Sequence, residues 1–243
     1  MALGHEGSGV VESVGEGVKD FKQGDHVVFV FVPPCGQCLS CKDGKPALCG
    51  PGLKPNISGT WLSGKKMIKL NGAYINHHVG VSCFSEYVVI SSKSAVRVSK
   101  SIDLDDVALF GYAVITGAGA VFNTAKIKVG SSVAIIGLGG TGLAALMGSL
   151  AAGASKVIGI DVEEEKMLIA KNLGADITIN ATYTEIVQTI KKNTESGVDY
   201  CFECVGSEKS MEQEYSIIKR GGTLVSSGLS HPKKYFLFSM LPL

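Results

Sequence analysis

The run Val133-Ala134-Ile135-Ile136 leads directly into Gly137-Leu138-Gly139-Gly140-Thr141-Gly142 and then into the helical pattern LAALMGSLAAG. Four apolar, mostly β-branched residues read as a strand buried on both faces. A buried strand that turns into a helix through spaced glycines has few folds open to it. The first glycine permits the tight turn, the second lets the backbone approach a pyrophosphate, and the third allows close helix packing. The helix N-terminus adds amide donors for an anion. Gly137, Gly139, Gly140 and Gly142 are therefore candidate dinucleotide contacts. Asp161 lies 19 residues beyond Gly142, at the end of the next apolar run, where a carboxylate would accept hydrogen bonds from an adenosine ribose. A 2′-phosphate there would meet like charge, so the pattern favours NAD over NADP.

The rest of the second half agrees with this turn. Strand candidates at 133–136, 157–160, 177–179, 198–202 and 223–226 alternate with amphipathic helices, the rhythm of parallel βαβ units. One helix should start at the acidic residues 163–165 and stop at Gly174 after a Met167, Leu168, Leu173 stripe. The next should open with a capping box from Thr182 to Glu185. Up to about residue 100 the texture is different: Gly-rich, with short Val-rich runs at 9–14, 26–32 and 85–90 that read as antiparallel strands. The stretch 51–76 has little pattern and reads as loop. The fold class is thus α/β plus β, with a boundary near 100–112 that divides the chain into 1–108 and 109–243.

Cys35, Cys38, Cys41 and Cys49 form C-x-x-C-x-x-C-x7-C just after Pro33-Pro34. Four thiolates at this spacing can converge on one tetrahedral zinc ion and leave no open coordination position, which makes the site structural. Lys42 and Lys45 can offset part of its charge. The bacterial iron–sulfur run has a different spacing followed by proline. Cys201 and Cys204 also spell C-x-x-C, but on a strand residues three apart point to opposite faces, so these two should pack in the core.

Lys plus Arg number 23 against 22 Asp plus Glu, which gives no electrostatic reason to expect nucleic acid or an anionic membrane as partner. No apolar run reaches the roughly 18 residues that a membrane span needs, and the first residues carry no leader pattern. Seven cysteines with a metal-type cluster suit a reducing, cytoplasmic location.

These features, together with Gly4-His5-Glu6 followed by Gly9 and Val14-Gly15, and with Thr116-Gly117, resemble the zinc-containing medium-chain dehydrogenase/reductase family, alcohol dehydrogenase branch. The resemblance covers essentially the whole chain. It implies a GroES-like β-domain followed by a Rossmann-type domain, with NAD and zinc as cofactors. It also implies hydride transfer between a small alcohol or aldehyde and nicotinamide, with metal polarising the oxygen. By the same resemblance His5 is a catalytic-zinc ligand, Glu6 its acidic neighbour, Thr116 a residue lining the nicotinamide and Lys166 one near the adenosine ribose. His77 and His78 are expected to be no ligands.

The family pattern is incomplete here. Its first catalytic cysteine would precede Met1, and at the second the sequence reads Gly111-Tyr112-Ala113. A phenol, with a reference pKa of about 10, is a poor replacement for a thiolate. Tyr112 is read as a lost ligand. Five strands stand where the family has six, the return segment of the β-domain is missing, and the apolar tail 235–243 should be exposed. The expectation is an incomplete form of an alcohol dehydrogenase, the alternative a noncatalytic NAD-binding scaffold that keeps its structural zinc. Homo-oligomers are expected of a full-length chain, but not of this one.

Overall fold

A computed structural model describes residues 1–183 and 185–235. The chain forms two compact units, Met1–Tyr112 and Ala113–Leu243, so the break falls just past the expected boundary at 108.

The first unit holds a three-stranded antiparallel sheet of β1 (Ser8–Val10), β2 (His26–Phe29) and β5 (Ala95–Val98), with β2 in the middle. Val27, Phe29 and Val81 are its buried centre. Two further helices, α1 (Leu39–Lys42) and α2 (Gly50–Ser58), carry the cysteine lobe. A two-residue hairpin, β3 (Lys69–Leu70) and β4 (Ala73–Tyr74), lies beyond them. A short helix, α3 (Leu104–Val107), follows β5.

Two expectations are corrected in this unit. The stretch 51–76 is not loop throughout. Pro51 fits the first turn of α2, Gly59 ends that helix at φ 65°, and Asn71-Gly72 turns the hairpin with both residues at positive φ. The run 85–90 is not a strand: it bends at 85–87 and is irregular after that. Val88 and Ile90 pack inward while Tyr87 and Val89 are exposed, so the alternation is present, but the β2 edge is taken by β5 and no described strand pairs with the run.

The second unit starts with α4 (Ala113–Gly119) and contains a parallel sheet of β6 (Ser132–Ile136), β7 (Lys156–Asp161), β8 (Ile177–Asn180), β9 (Val198–Glu203) and β10 (Ile218–Ser226). The order is β10-β9-β6-β7-β8. All five expected strands are present. Helices α5 (Gly140–Ala151) and α6 (Glu164–Asn172) cover one face, and α7 (Ile186–Thr194) and α8 (Glu208–Ile217) the other. Alternate residues of β6 divide between the two cores, Val133 and Ile135 to one and Ala134 and Ile136 to the other. Cys201 and Cys204 likewise pack into opposite cores, as strand geometry requires.

Helix ends were less legible. α6 starts at Glu164 and is followed by Gly174 at φ 110°, but only Met167 of the expected stripe packs inward; Leu168 and Leu173 are exposed. The Thr182–Glu185 box is corrected as well. Glu185 is itself the N-cap of α7, and the Thr182 amide donates to Asn180 Oδ1 in a turn instead; Thr184 lies outside the described residues. A capping box does form at α8, where Ser207 and Ser210 bond reciprocally. Of the expected exposed tail, Tyr235 is exposed and 236–243 lie outside the described residues.

Candidate functional site

In the cysteine lobe, Pro33 and Pro34 deliver the chain to Cys35, α1 carries Cys41 one turn after Cys38, and Cys49 caps α2. The four sulfurs lie within 4.8 Å of one another. Cys35 to Cys41 is 4.0 Å and Cys38 to Cys49 is 3.9 Å. Zn–S bonds of about 2.3 Å at tetrahedral angles put sulfurs about 3.8 Å apart, so the group fits one zinc ion. Backbone amides support the charge. The amides of Gln37 and Cys38 donate to Cys35 Sγ, and those of Cys35 and Gly52 to Cys49 Sγ. The Gln37 amide, then that of Cys38, hold the Cys35 thiol down to about 6, while burial pushes Cys41 up to about 11. Lys42 and Lys45 are exposed beside the lobe.

The glycine turn has the geometry a dinucleotide needs. Gly137 adopts φ 90°, a conformation that side chains rarely tolerate. A Cβ on Gly142 would collide with the Gly137 carbonyl, so the helix can start this close to the strand only with glycine there. Gly139 caps α5 with no side chain bonded across its first amides, and Gly139 and Gly140 are exposed. That leaves the positive end of a twelve-residue helix open to a phosphate.

Asp161 ends β7 nearly buried. Its Oδ2 accepts from the Leu138 amide at 2.6 Å, and its Oδ1 from Val162 and Glu163 at 2.7 and 3.0 Å. Three backbone donors fix the carboxylate against the turn and leave acceptor capacity for ribose hydroxyls. Lys166 is half-buried on α6 and Thr116 half-buried on α4. Gly117 lets α4 approach α5, since a Cβ there would collide with the Thr141 carbonyl.

His5 is held by backbone pairing. The amides of Phe84 and Cys83 donate to the carbonyls of Leu3 and Gly4, and a Cβ on Gly4 would run into the Phe84 amide. Tyr112 stands beside it, ring centroids 4.8 Å apart, because Gly111 presses against the Phe29 carbonyl and leaves Tyr112 packed on Phe31. His78 is the third ring, 5.0 Å from His5, with a buried Nδ1 that has no hydrogen-bond partner. Nothing in the local pattern of His77-His78 distinguished the two. His77 proves structural, fully buried against Trp61 and accepting from the Met67 amide, whereas His78 joins His5. Glu6 is half-buried near Cys83, whose thiol is pushed up by burial and then by the Glu6 carboxylate.

A catalytic zinc does not fit these residues. Among the described residues the only convergent group of three or more His, Cys, Asp or Glu side chains is the four-cysteine lobe. At His5 the neighbouring ring is the Tyr112 phenol, a poorer metal donor than a thiolate.

Comparison with known proteins defines the class first. The model for the alcohol dehydrogenase GroES-like domain matches residues 1–100, and that for the zinc-binding dehydrogenase matches 140–243. The chain is 40% identical over 222 residues to a probable S-(hydroxymethyl)glutathione dehydrogenase 1 of Schizosaccharomyces pombe, covering 91% of this chain and 59% of that protein. It is 42% identical to an alcohol dehydrogenase class-3 of Oryza sativa, covering 94% and 61%. Benzyl alcohol dehydrogenase from Acinetobacter calcoaceticus superposes with a TM-score of 0.88 at 32% identity, over 98% of this chain and 65% of that one. The chain belongs to the zinc-containing medium-chain alcohol dehydrogenase family. It spans about three fifths of the length of these curated relatives, at 59% and 61%.

Proposed function

We propose that the protein is an NAD-linked oxidoreductase of the alcohol dehydrogenase type, and that the described residues are its cofactor-binding and structural-zinc parts. The observation that carries this reading is the turn 137–142 with Asp161 locked beneath it. Gly139 and Gly140 would receive the pyrophosphate at the start of α5, and Asp161 the adenosine ribose. Thr116 and Lys166 are assigned to the nicotinamide and ribose ends by resemblance. NAD, when bound, supplies a hydride acceptor for a small alcohol or a donor for an aldehyde. Cys35, Cys38, Cys41 and Cys49 would hold a zinc ion that fixes the lobe and takes no part in the chemistry. Free cysteines throughout support a reducing, cytoplasmic setting.

A second reading is favoured by one observation: Tyr112 packs on His5 where a metal ligand is required. On that reading the chain is a noncatalytic NAD-binding scaffold. Metal analysis together with an alcohol-dependent NADH assay separates the two. Alcohol-dependent turnover supports the enzyme and removes the scaffold; NADH binding without turnover, at one zinc ion per chain, does the reverse.

A further inference from the structure

Beneath the turn that follows β9 lies a buried carboxyl pair that the cofactor reading leaves unused. Glu203, the last residue of β9, is fully buried. Its Oε1 accepts from the Val205 amide at 2.8 Å, the Gly206 amide at 2.7 Å and Ser210 Oγ at 2.7 Å, and its Oε2 from Ser226 Oγ at 3.1 Å. Four donors thus converge on one carboxyl and tie it to the turn. Glu214, on α8, is 4% exposed; its Oε1 has no hydrogen-bond partner, while its carboxyl accepts from the Val225 amide of β10 and lies close enough to Glu203 to feel its charge.

Among the described residues no cation is paired with either carboxyl. On β10 Lys219 is paired with Asp199, and Arg220 is exposed. On α7 Lys191 and Lys192 are exposed, and the neighbouring thiols are those of Cys201 on β9 and of Cys204 just after it. Two unpaired anions in such dry space are costly, so the pair can carry one charge between them.

Its place in the fold gives the pair a task. The sheet grows from β6 through β7 to β8 on one side and from β9 to β10 on the other. The crevice beyond the carboxyl ends of β6 and β9 is the switch point where such sheets bind dinucleotides. One wall is the turn 137–142 and the other the turn 204–207. They touch: the Cys204 amide donates to the Ile136 carbonyl at 2.8 Å, and a Cβ on Gly137 would come within 2.6 Å of Val205 Cγ2. Glu203 shapes the second wall directly through Val205 and Gly206. It also does so through Ser210, which closes the capping box with Ser207.

We infer that Glu203 and Glu214 form a buried carboxyl pair that holds one charge between them and positions the 204–207 turn for the dinucleotide, and that loss of the pair's shared proton withdraws that support. The inference rests on the cofactor reading. Neither carboxyl touches the cofactor; both are positioning residues. Burial first, and then the Glu203 carboxylate, push the Glu214 carboxyl up to about 8. A carboxyl raised on folding costs stability as pH climbs above its unfolded value, here from the ordinary carboxylate range until pH passes about 8.

The test is NADH titration by fluorescence and thermal unfolding without nucleotide, both between about pH 6.5 and 9.5. Wild-type affinity should weaken on the order of tenfold from about pH 7 to about pH 9, the response to one proton, and Tm should fall as pH rises to about 8 and level off above it. Glu214→Gln should flatten both profiles, with Glu214→Met as the second variant should the first not fold. A folded variant that keeps the wild-type slope, or a wild-type affinity that is flat, overturns the inference. A Tm slope that depends on Glu214 without any slope in affinity overturns the positioning role. No NADH binding at any pH overturns the cofactor reading itself, while the Tm profiles still decide whether the pair shares one charge.

Discussion

The requirement at Gly142 is local: a helix that must start against the carbonyl of Gly137 leaves no room for a Cβ. Gly142→Ala should therefore lower NADH affinity by at least about tenfold and destabilise the second unit by on the order of 1–3 kcal/mol, measured by fluorescence titration and chemical unfolding. A variant with wild-type affinity would remove the turn from the binding site. His5 was found through a resemblance, and its surroundings could not be. His78 comes to it through backbone bonds at Ala2, whose carbonyl accepts from the His78 amide and from Ser82 Oγ, a pairing across some eighty positions of chain. Tyr112 stands in the way of metal. His5→Ala is accordingly expected to leave the zinc content of the chain unchanged at about one ion; elemental analysis showing a lost ion would mean that His5 holds metal after all.

Elements of the two units were unequally readable, for a physical reason. Strands of the parallel sheet are buried on both faces and stand out as apolar runs, and each was placed. In the first unit strands are short and their partners are set by distant segments, so the alternation at 85–90 was real while the pairing was absent. Asn71-Gly72 is a hairpin signal between strands of two residues, too short to show a period. The Ser207–Ser210 box lacks the usual acidic third residue, which is why the pattern at 182–185 attracted attention in its place. Ser207→Ala removes a cap that supports the 204–207 turn. It should cost about 1 kcal/mol and lower Tm by about 2–4 °C; no shift would deny the cap any part in stability. In the cysteine lobe Cys49 both caps α2 and closes the sulfur cluster. Cys49→Ser should lose the zinc ion and make residues 33–58 the first site of proteolytic cleavage. A variant that kept both metal and protease resistance would contradict the four-thiolate site.

Across the whole molecule, sequence and structure agree on a β unit with a zinc lobe followed by a parallel α/β unit, and the family models divide the chain in the same order. What could not be read from sequence was the buried chemistry of the second unit. Glu203 and Glu214 look like surface charges in a linear pattern and become interior only through the crossover of the sheet. The chain as described is strong where it binds a cofactor and weak where it would bind a reactive metal. Everything else rests on NAD binding, which NADH and NADPH fluorescence titrations on the 243-residue chain and on Asp161→Asn would measure. Saturable NADH binding is expected, with at least about tenfold weaker NADPH binding and a narrowed preference in the variant as like-charge repulsion is removed. Failure of the zinc-loaded, folded chain to bind NADH, or an unchanged preference in Asp161→Asn, would contradict it.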